Sequence, residues 1–413
     1  MSARRRWLRQ IGRAGLAALA LPGPAAVAAA DAADADRITP GRALAFPRDH
    51  GAHPGARIEW WYATGWLQAD LQTDQPGAGL IGFQLTFFRS RTGLATTLPG
   101  RFAPRQLLFA HAAVSDIAGK KHRHAQRISR WSGDETLADG HALRADTAVA
   151  LGRWTLRRQP AGGYRAVLAA PEAAFTLDLQ LQATQPLLLQ GQAGYSRKGP
   201  GAGQASHYYS VPQLAVSADL GLDGKRQALA GRGWLDHEWS DHLLDAAAAG
   251  GPGGASGSGV SGGAGGAVVS GGPGQNAATG WDWIGINLVD GGALTAFVLR
   301  RADGSMLWAG GSHRPAAGAV RDFLPDEVVF TPLRDWASPA TGVRYPVQWR
   351  IRCPAGQFEL RALLDAQELD SSASTGLVYW EGLAELLGAG GARIGLGYLE
   401  MTGRGRPLRL GLT

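Results

Sequence analysis

From residue 57 onward, apolar and polar residues alternate in short runs separated by glycine, proline and other turn formers. The stretch 58–67 is aromatic and rich in strand formers, 80–89 carries Phe83, Leu85, Phe87 and Phe88, and 107–116 follows a turn-rich loop. Alternation continues through 147–156, 164–169 and 175–183 and resumes at 213–220, 227–234, 282–288, 294–300, 347–351, 358–364 and 394–402. A period of two sends successive side chains to opposite faces, so these runs predict antiparallel β-structure, as a barrel or a sandwich. The only helix candidates are the N-terminal segment and residues 381–387.

Residues 246–280 break the pattern. Most of them are Gly, Ala, Ser and Pro, a composition that cannot bury enough apolar area to offset its ordering entropy. The expectation is a flexible loop, 246–279, inserted between two strands. Gly259-Val260-Ser261-Gly262-Gly263 matches a hydrolase nucleophile pattern, and Gly257-Ser258-Gly259-Val260-Ser261-Gly262 matches a dinucleotide fingerprint. Neither follows a strand and opens a helix, as its chemistry demands, so neither is given weight.

The first 30 residues read as a signal peptide. Arg4, Arg5, Arg6 and Arg9 precede an alanine-rich apolar stretch that ends in Ala28-Ala29-Ala30 before Asp31, which is the order of a basic region, a hydrophobic region and a small-residue cleavage site. Arg4-Arg5-Arg6-Trp7-Leu8-Arg9 also has the twin-arginine layout, and the choice between that route and general secretion stays open. Pro22 and Pro24 argue against a retained membrane helix, and the expected location is the periplasm. Without the five leader arginines the net charge falls from +7 to +2, so the basic balance gives no reason to expect a nucleic-acid partner. The 413 residues suffice for two domains or one large β domain, and the single Cys353 excludes an intrachain disulfide.

Candidate chemistry concentrates in three patches: Glu59-Trp60-Trp61-Tyr62, Asp236-His237-Glu238-Trp239 and Trp281-Asp282-Trp283, which hold five of the 14 tryptophans. Apolar walls around a few ionisable groups suit a pocket for a hydrophobic ligand and raise a carboxyl pKa. The alternative is ordinary strands, with aromatics in the core and acids in solvent. Alternation places Glu59 with Trp61, Trp60 with Tyr62, Asp236 with Glu238, and His237 with Trp239. Asp282 then faces away from both neighbouring indoles.

The order of these motifs resembles a known family. Phe46-Pro47-Arg48-Asp49-His50-Gly51-Ala52-His53-Pro54 and Glu59-Trp60-Trp61-Tyr62-Ala63-Thr64-Gly65 are similar to the opening of the hydroxyneurosporene synthase (carotenoid 1,2-hydratase) and AttH-like proteins. Gly82-Phe83-Gln84-Leu85-Thr86-Phe87-Phe88-Arg89, Phe109-Ala110-His111, Tyr208-Tyr209-Ser210 and Gly233-Trp234-Leu235-Asp236-His237-Glu238-Trp239-Ser240 continue the series. Gly280-Trp281-Asp282-Trp283, Tyr379-Trp380-Glu381-Gly382 and Tyr398-Leu399-Glu400-Met401-Thr402-Gly403 close it. The resemblance implies two tandem lipocalin-like antiparallel β-barrels with a ligand cavity in or between them, divided here as 40–215 and 216–413. It also implies that the Gly-rich tract is an insertion, since the Asp-His-Glu-Trp and Trp-Asp-Trp blocks are normally close together. The family includes carotenoid hydratases, exported proteins labelled predicted secreted hydrolases, and fungal cyclases of related fold. An export signal sets this chain nearer the secreted branch, which puts a carotenoid substrate in doubt.

Hydrating an isolated alkene needs a protonated acid, a shielded cation and a base for the attacking water. No metal, nucleotide or flavin is required. Asp282 is the leading expected proton donor, with His237 as base or water orienter on a cavity face beside Trp239. Asp236 and Glu238 are further catalytic candidates, unless they pair with arginines at a barrel rim. Trp281, Trp283, Glu59, Trp61, Tyr62 and Tyr208 complete the expected ligand contacts, with Arg89 and His111 as partners of Glu59. The pairs His50/His53 and His122/His124 each lack the further convergent ligands a zinc site needs, and Lys120, Lys121 and Arg123 oppose a cation at the second, so no metal is expected. The readings carried forward are a cofactor-free hydratase-like enzyme acting on a terpenoid-like alkene, a lipid-binding protein without chemistry, and a hydrolase.

Overall fold

The computed structural model describes residues 36–69, 79–94, 103–137, 140–244 and 277–408. The expected signal peptide and all of the 246–279 tract except its last three residues lie outside them.

The described residues are all-β, with 3-10 turns as the only helical elements. The first sheet contains β1 (Ile58–Gln68), β2 (Ile81–Arg91), β3 (Gln106–Asp116), β4 (Lys121–Trp131), β5 (Gly140–Ala142), β6 (Ala148–Leu151), β7 (Trp154–Arg158), β8 (Tyr164–Ala170) and β9 (Phe175–Gln182). Two short strands, β10 (Leu188–Leu189) and β11 (Tyr195–Arg197), and two long ones, β12 (Ala205–Leu222) and β13 (Lys225–Ser240), complete it. Its order is β4-β3-β2-β1-β13-β12-β9-β8-β7-β6-β5, with β10 and β11 on β12. Edge strands β4 and β5 lie against each other, so the sheet curls into a nearly closed barrel.

The second sheet contains β14 (Gly280–Leu288), β15 (Ala293–Arg300), β16 (Met306–Arg314), β17 (Arg321–Phe323), β18 (Val329–Ala337), β19 (Arg344–Cys353), β20 (Gly356–Ala362), β21 (Glu368–Ser371), β22 (Leu377–Leu387) and β23 (Arg393–Met401). It runs β17-β16-β15-β14-β23-β22-β20-β19-β18, with β21 on β22. All pairings in both sheets are antiparallel.

Where one face meets water, alternation is clean: in β9, Phe175, Leu177, Leu179 and Leu181 are buried between more exposed polar residues. β1, β14 and the second half of β13, from Gly233 to Ser240, are instead covered on both faces, and nearly every residue there is buried. β22 is another such strand. The helix expected over 381–387 is its second half, which pairs with β23 and β20. A short apolar run is buried equally well as helix or central strand, and tertiary pairing decides.

The 215/216 division falls inside β12. An Asp223-Gly224 turn with both residues at positive φ, 50° and 79°, joins β12 to β13. That tight hairpin holds both strands in one sheet, so the change of sheet comes between β13 and β14. The described ends flanking the Gly-rich tract meet there, with Ala278 N–H donating to the Leu244 carbonyl at 3.2 Å.

Three apolar clusters result. One fills the first barrel around Trp61, Leu85, Leu235 and Trp239, and a second underlies the other sheet around Ile284, Trp349 and Trp380. The third lies between the sheets, where Tyr62, Trp234, Trp283, Phe297, Leu383 and Tyr398 pack together. The candidate site opens in this third cluster.

Candidate functional site

β1 and β13 pair with Trp61 opposite His237 and Tyr62 opposite Asp236. Alternation therefore gives the pair of strands two chemically different faces.

One face points into the first barrel. It carries Glu59, Trp61, His237 and Trp239, all buried. Glu59 accepts from the His53 backbone N–H and from Arg89 Nε at 2.7 Å, and its Oε1 lies 2.8 Å from His53 Nδ1 and 2.9 Å from His237 Nε2. Trp239 stacks on His53 at 3.7 Å, and Trp61 on His237 at 4.7 Å. Burial outweighs the adjacent carboxylates and lowers His237 to about 4, so it is neutral. Glu59 lies well below the usual carboxylate range because the Arg89 charge and the His237 and His53 hydrogen bonds overcome burial. His53, Glu59 and His237 bring three potential metal-ligand atoms within 4.8 Å of one another. Their separations are hydrogen-bond distances and Arg89 adds a cation against Glu59, so the set reads as a saturated polar strut. His237 and Trp239 therefore face the barrel core, the reverse of the sequence expectation, and Arg89 is the expected partner of Glu59.

The opposite face looks into a cavity of about 70 Å³ between the sheets, lined by Trp60, Tyr62, Tyr208, Asp236, Glu238, Trp281, Trp283, Glu381 and Glu400, among others. Trp60 and Trp281 stack across it at 6.4 Å, and Tyr62 meets Trp283 edge-on at 5.4 Å. Asp236 accepts from Tyr208 Oη at 2.8 Å, Ser210 Oγ at 2.6 Å and Trp234 Nε1 at 2.7 Å. Burial still outweighs these three donors and raises Asp236 to about 7. Trp283 Nε1 donates to Tyr208 Oη at 3.2 Å, tying the Trp patch to this network. Glu238 pairs with Lys198 at 3.0 Å, and that ammonium sits 4.6 Å over Tyr208 and 4.2 Å over Phe297.

On the opposite wall β22 and β23 place Glu381 directly across from Glu400. Glu381 is buried and Glu400 half-buried. Burial and then the Glu400 charge push Glu381 well above the carboxyl range, against the opposing influence of the Tyr62 and Tyr379 hydroxyls. Burial, reinforced by Asp236 and Glu238, raises Glu400 to about 7. Tyr62 and Glu381 are hydrogen-bonding neighbours, yet neither Tyr62 Oη nor Glu381 Oε1 completes a well-formed hydrogen bond among the described residues.

Asp282 lies on the far side of β14 from its two indoles. It is clamped by Arg300 Nε at 2.9 Å and Arg404 Nη2 at 2.7 Å and lines neither inter-sheet cavity. His111 does not meet Glu59 but bonds Tyr379 and Ser374. Of the site residues expected from sequence, Asp236, Glu238, Tyr62, Tyr208, Trp281 and Trp283 line the cavity. Glu381, Glu400, Trp60 and Lys198 were not singled out as site residues. Glu381 and Glu400 bear the same signature as the chosen patches, an acid beside aromatics in an apolar strand. Lys198, in a Gly-rich turn, bears none.

The sequence profile of AttH-like proteins matches residues 37–251 and 270–404, passing over part of the Gly-rich tract. A solved structure described as an AttH protein from Nitrosomonas europaea is 42% identical, with a TM-score of 0.73 over 89% of this chain and 99% of its own. A kievitone hydratase from Nectria haematococca shares the fold, at 13% identity and a TM-score of 0.60 over 88% of this chain and 94% of its own. No curated protein matches. With the profile matched along most of its length, the chain belongs to the AttH-like family.

Proposed function

We propose that the protein is a cofactor-free, hydratase-like enzyme that adds water to the alkene end of a hydrophobic, terpenoid-like molecule in the inter-sheet cavity. The observation that carries this reading is the Glu381–Glu400 pair, a buried and a half-buried carboxyl with raised pKa values on one wall of an aromatic cavity. Two like charges so close cannot both ionise readily, so the pair retains a proton near neutrality. Glu400 is assigned as proton donor, its proton retained through burial and the nearby Asp236 and Glu238 carboxyls, and Glu381 as its more tightly protonated neighbour. Protonation forms a C–H bond and leaves a carbocation facing Trp60, Trp281 and Trp283, whose desolvated indoles stabilise it on the order of 2 kcal/mol. Asp236, oriented by Tyr208, then accepts a proton from the attacking water as the C–O bond forms. The kievitone hydratase likeness is compatible with this reading at the level of fold. The cavity has room for the end of a chain rather than a long molecule whole.

The test is mass spectrometry after incubation with short isoprenoids bearing a terminal trisubstituted alkene, and with an acyclic carotenoid. A product heavier by one water is expected, with its rate reduced about 10²–10⁴-fold in Glu400→Gln. Turnover undiminished in both Glu400→Gln and Glu381→Gln would falsify the assignment. A ligand carrier is the second reading, favoured by an adjoining cavity that shares Trp60, Phe88, Trp281 and Glu400 with the first. It predicts a co-purified lipid released unchanged on denaturation. On the arginine-rich leader, the proposed setting of either activity is the periplasm.

A further inference from the structure

The adjoining cavity, about 150 Å³, has its own polar cluster, which alkene hydration does not use. Ser374, in the turn between β21 and β22, places its Oγ 2.9 Å from His111 Nε2 on β3. The other ring nitrogen of His111 lies 2.9 Å from the Tyr379 hydroxyl. Tyr379 in turn has the Glu381 carboxyl as a hydrogen-bonding neighbour. With the Tyr379 proton directed at Glu381, its oxygen accepts from His111 Nδ1–H, and Nε2 is left to accept the Ser374 proton. Serine, imidazole and orienting group thus stand in the order that activates a hydroxyl nucleophile, assembled from residues more than 250 positions apart. Beside them Leu107, Phe109, Leu377 and Leu408 form an apolar wall.

We propose that Ser374 is a nucleophile activated by His111, and that the second cavity cleaves esters carrying an apolar acyl chain. Ser374 Oγ adds to the ester carbonyl carbon as its proton passes to His111 Nε2. Collapse breaks the ester C–O bond, and the leaving alkoxide takes that proton. Water repeats the sequence on the acyl-serine, releasing the carboxylic acid and restoring the serine. Burial holds His111 at about 3, so the imidazole is neutral before the reaction. The charge it gains faces the Tyr379 oxygen. The Ser371 carbonyl, 3.2 Å from Ser374 Oγ, is a second acceptor for the same hydroxyl proton, and His111 Nε2 at 2.9 Å is the nearer one.

The test combines covalent labelling with turnover. The full chain is incubated with a long-chain alkyl fluorophosphonate, digested, and searched for adducts by mass spectrometry, with p-nitrophenyl ester hydrolysis followed in parallel. The expected result is a phosphonyl adduct on Ser374 and ester turnover that is abolished in Ser374→Ala. His111→Gln should reduce turnover by about 10²-fold or more. Tyr379→Phe should slow labelling and shift its pH profile, which a merely structural tyrosine would not do. An unlabelled Ser374, together with ester turnover unchanged in Ser374→Ala, overturns the proposal. Ser374 is not among the residues lining the first cavity, so this test and the hydration test fail independently.

Discussion

Burial decides what Asp236, Glu381 and Glu400 can do, because three donors on Asp236 and two phenols beside Glu381 do not cancel the cost of ionising in this cavity. A carboxyl with a raised folded pKa binds its proton more tightly folded than unfolded. Its contribution to stability is therefore whole below about 4 and lost as pH rises through about 7, the value reached by Asp236 and Glu400. An acid-form requirement predicts a matching descending limb in kcat near pH 7. A pH–rate profile measured from 5 to 9 checks this, and a flat profile across that range removes Glu400 as the acid. Residue composition announced aromatic-flanked acids, and the site contains several. It did not distinguish Asp282 from Glu400, because that depends on which neighbours come from distant strands: two arginines for one, another carboxyl for the other.

At the level of the strand, alternation sorted side chains into the right pairs and left their direction open. Asp236 and Glu238 do share a face, as do His237 and Trp239, yet the acids face the cavity. A strand covered on both sides offers two buried faces, and its own sequence does not say which abuts a partner sheet. The same ambiguity made 381–387 resemble a helix. β14 gives a direct test. Asp282→Asn removes the partner of two arginines, one of them with a pKa lowered by burial, and should cost about 3 kcal/mol of stability while turnover per folded molecule persists. Denaturant unfolding and specific activity check the two parts. Lost turnover at unchanged stability would restore Asp282 as the proton donor.

For the whole molecule, the decisive feature is how the two sheets dock. Gln213 occupies a bulge in β12 at φ 55°, and its N–H donates to Asn287 Oδ1 at 2.7 Å. Asn287 Nδ2 donates back to the Gly233 carbonyl at 2.9 Å, and Gln213 Nε2 reaches the Leu288 and Gly292 carbonyls. Asn287→Ala strands the buried Gln213 N–H and Gly233 carbonyl and should cost about 2–6 kcal/mol, at roughly 1–3 for each unsatisfied group, with weakened ligand binding. Urea denaturation with a ligand titration measures both, and a cost below about 0.5 kcal/mol, the surface-substitution scale, would show that the clip is dispensable. The sequence by itself determined the β class and the places where aromatics and acids concentrate, since these follow from period and composition. Only the tertiary structure decided that β13 belongs to the first sheet, that Glu381 meets Glu400, and that Ser374 meets His111. Those contacts join residues far apart in the chain, and their chemistry arises from shared burial, which no single segment contains.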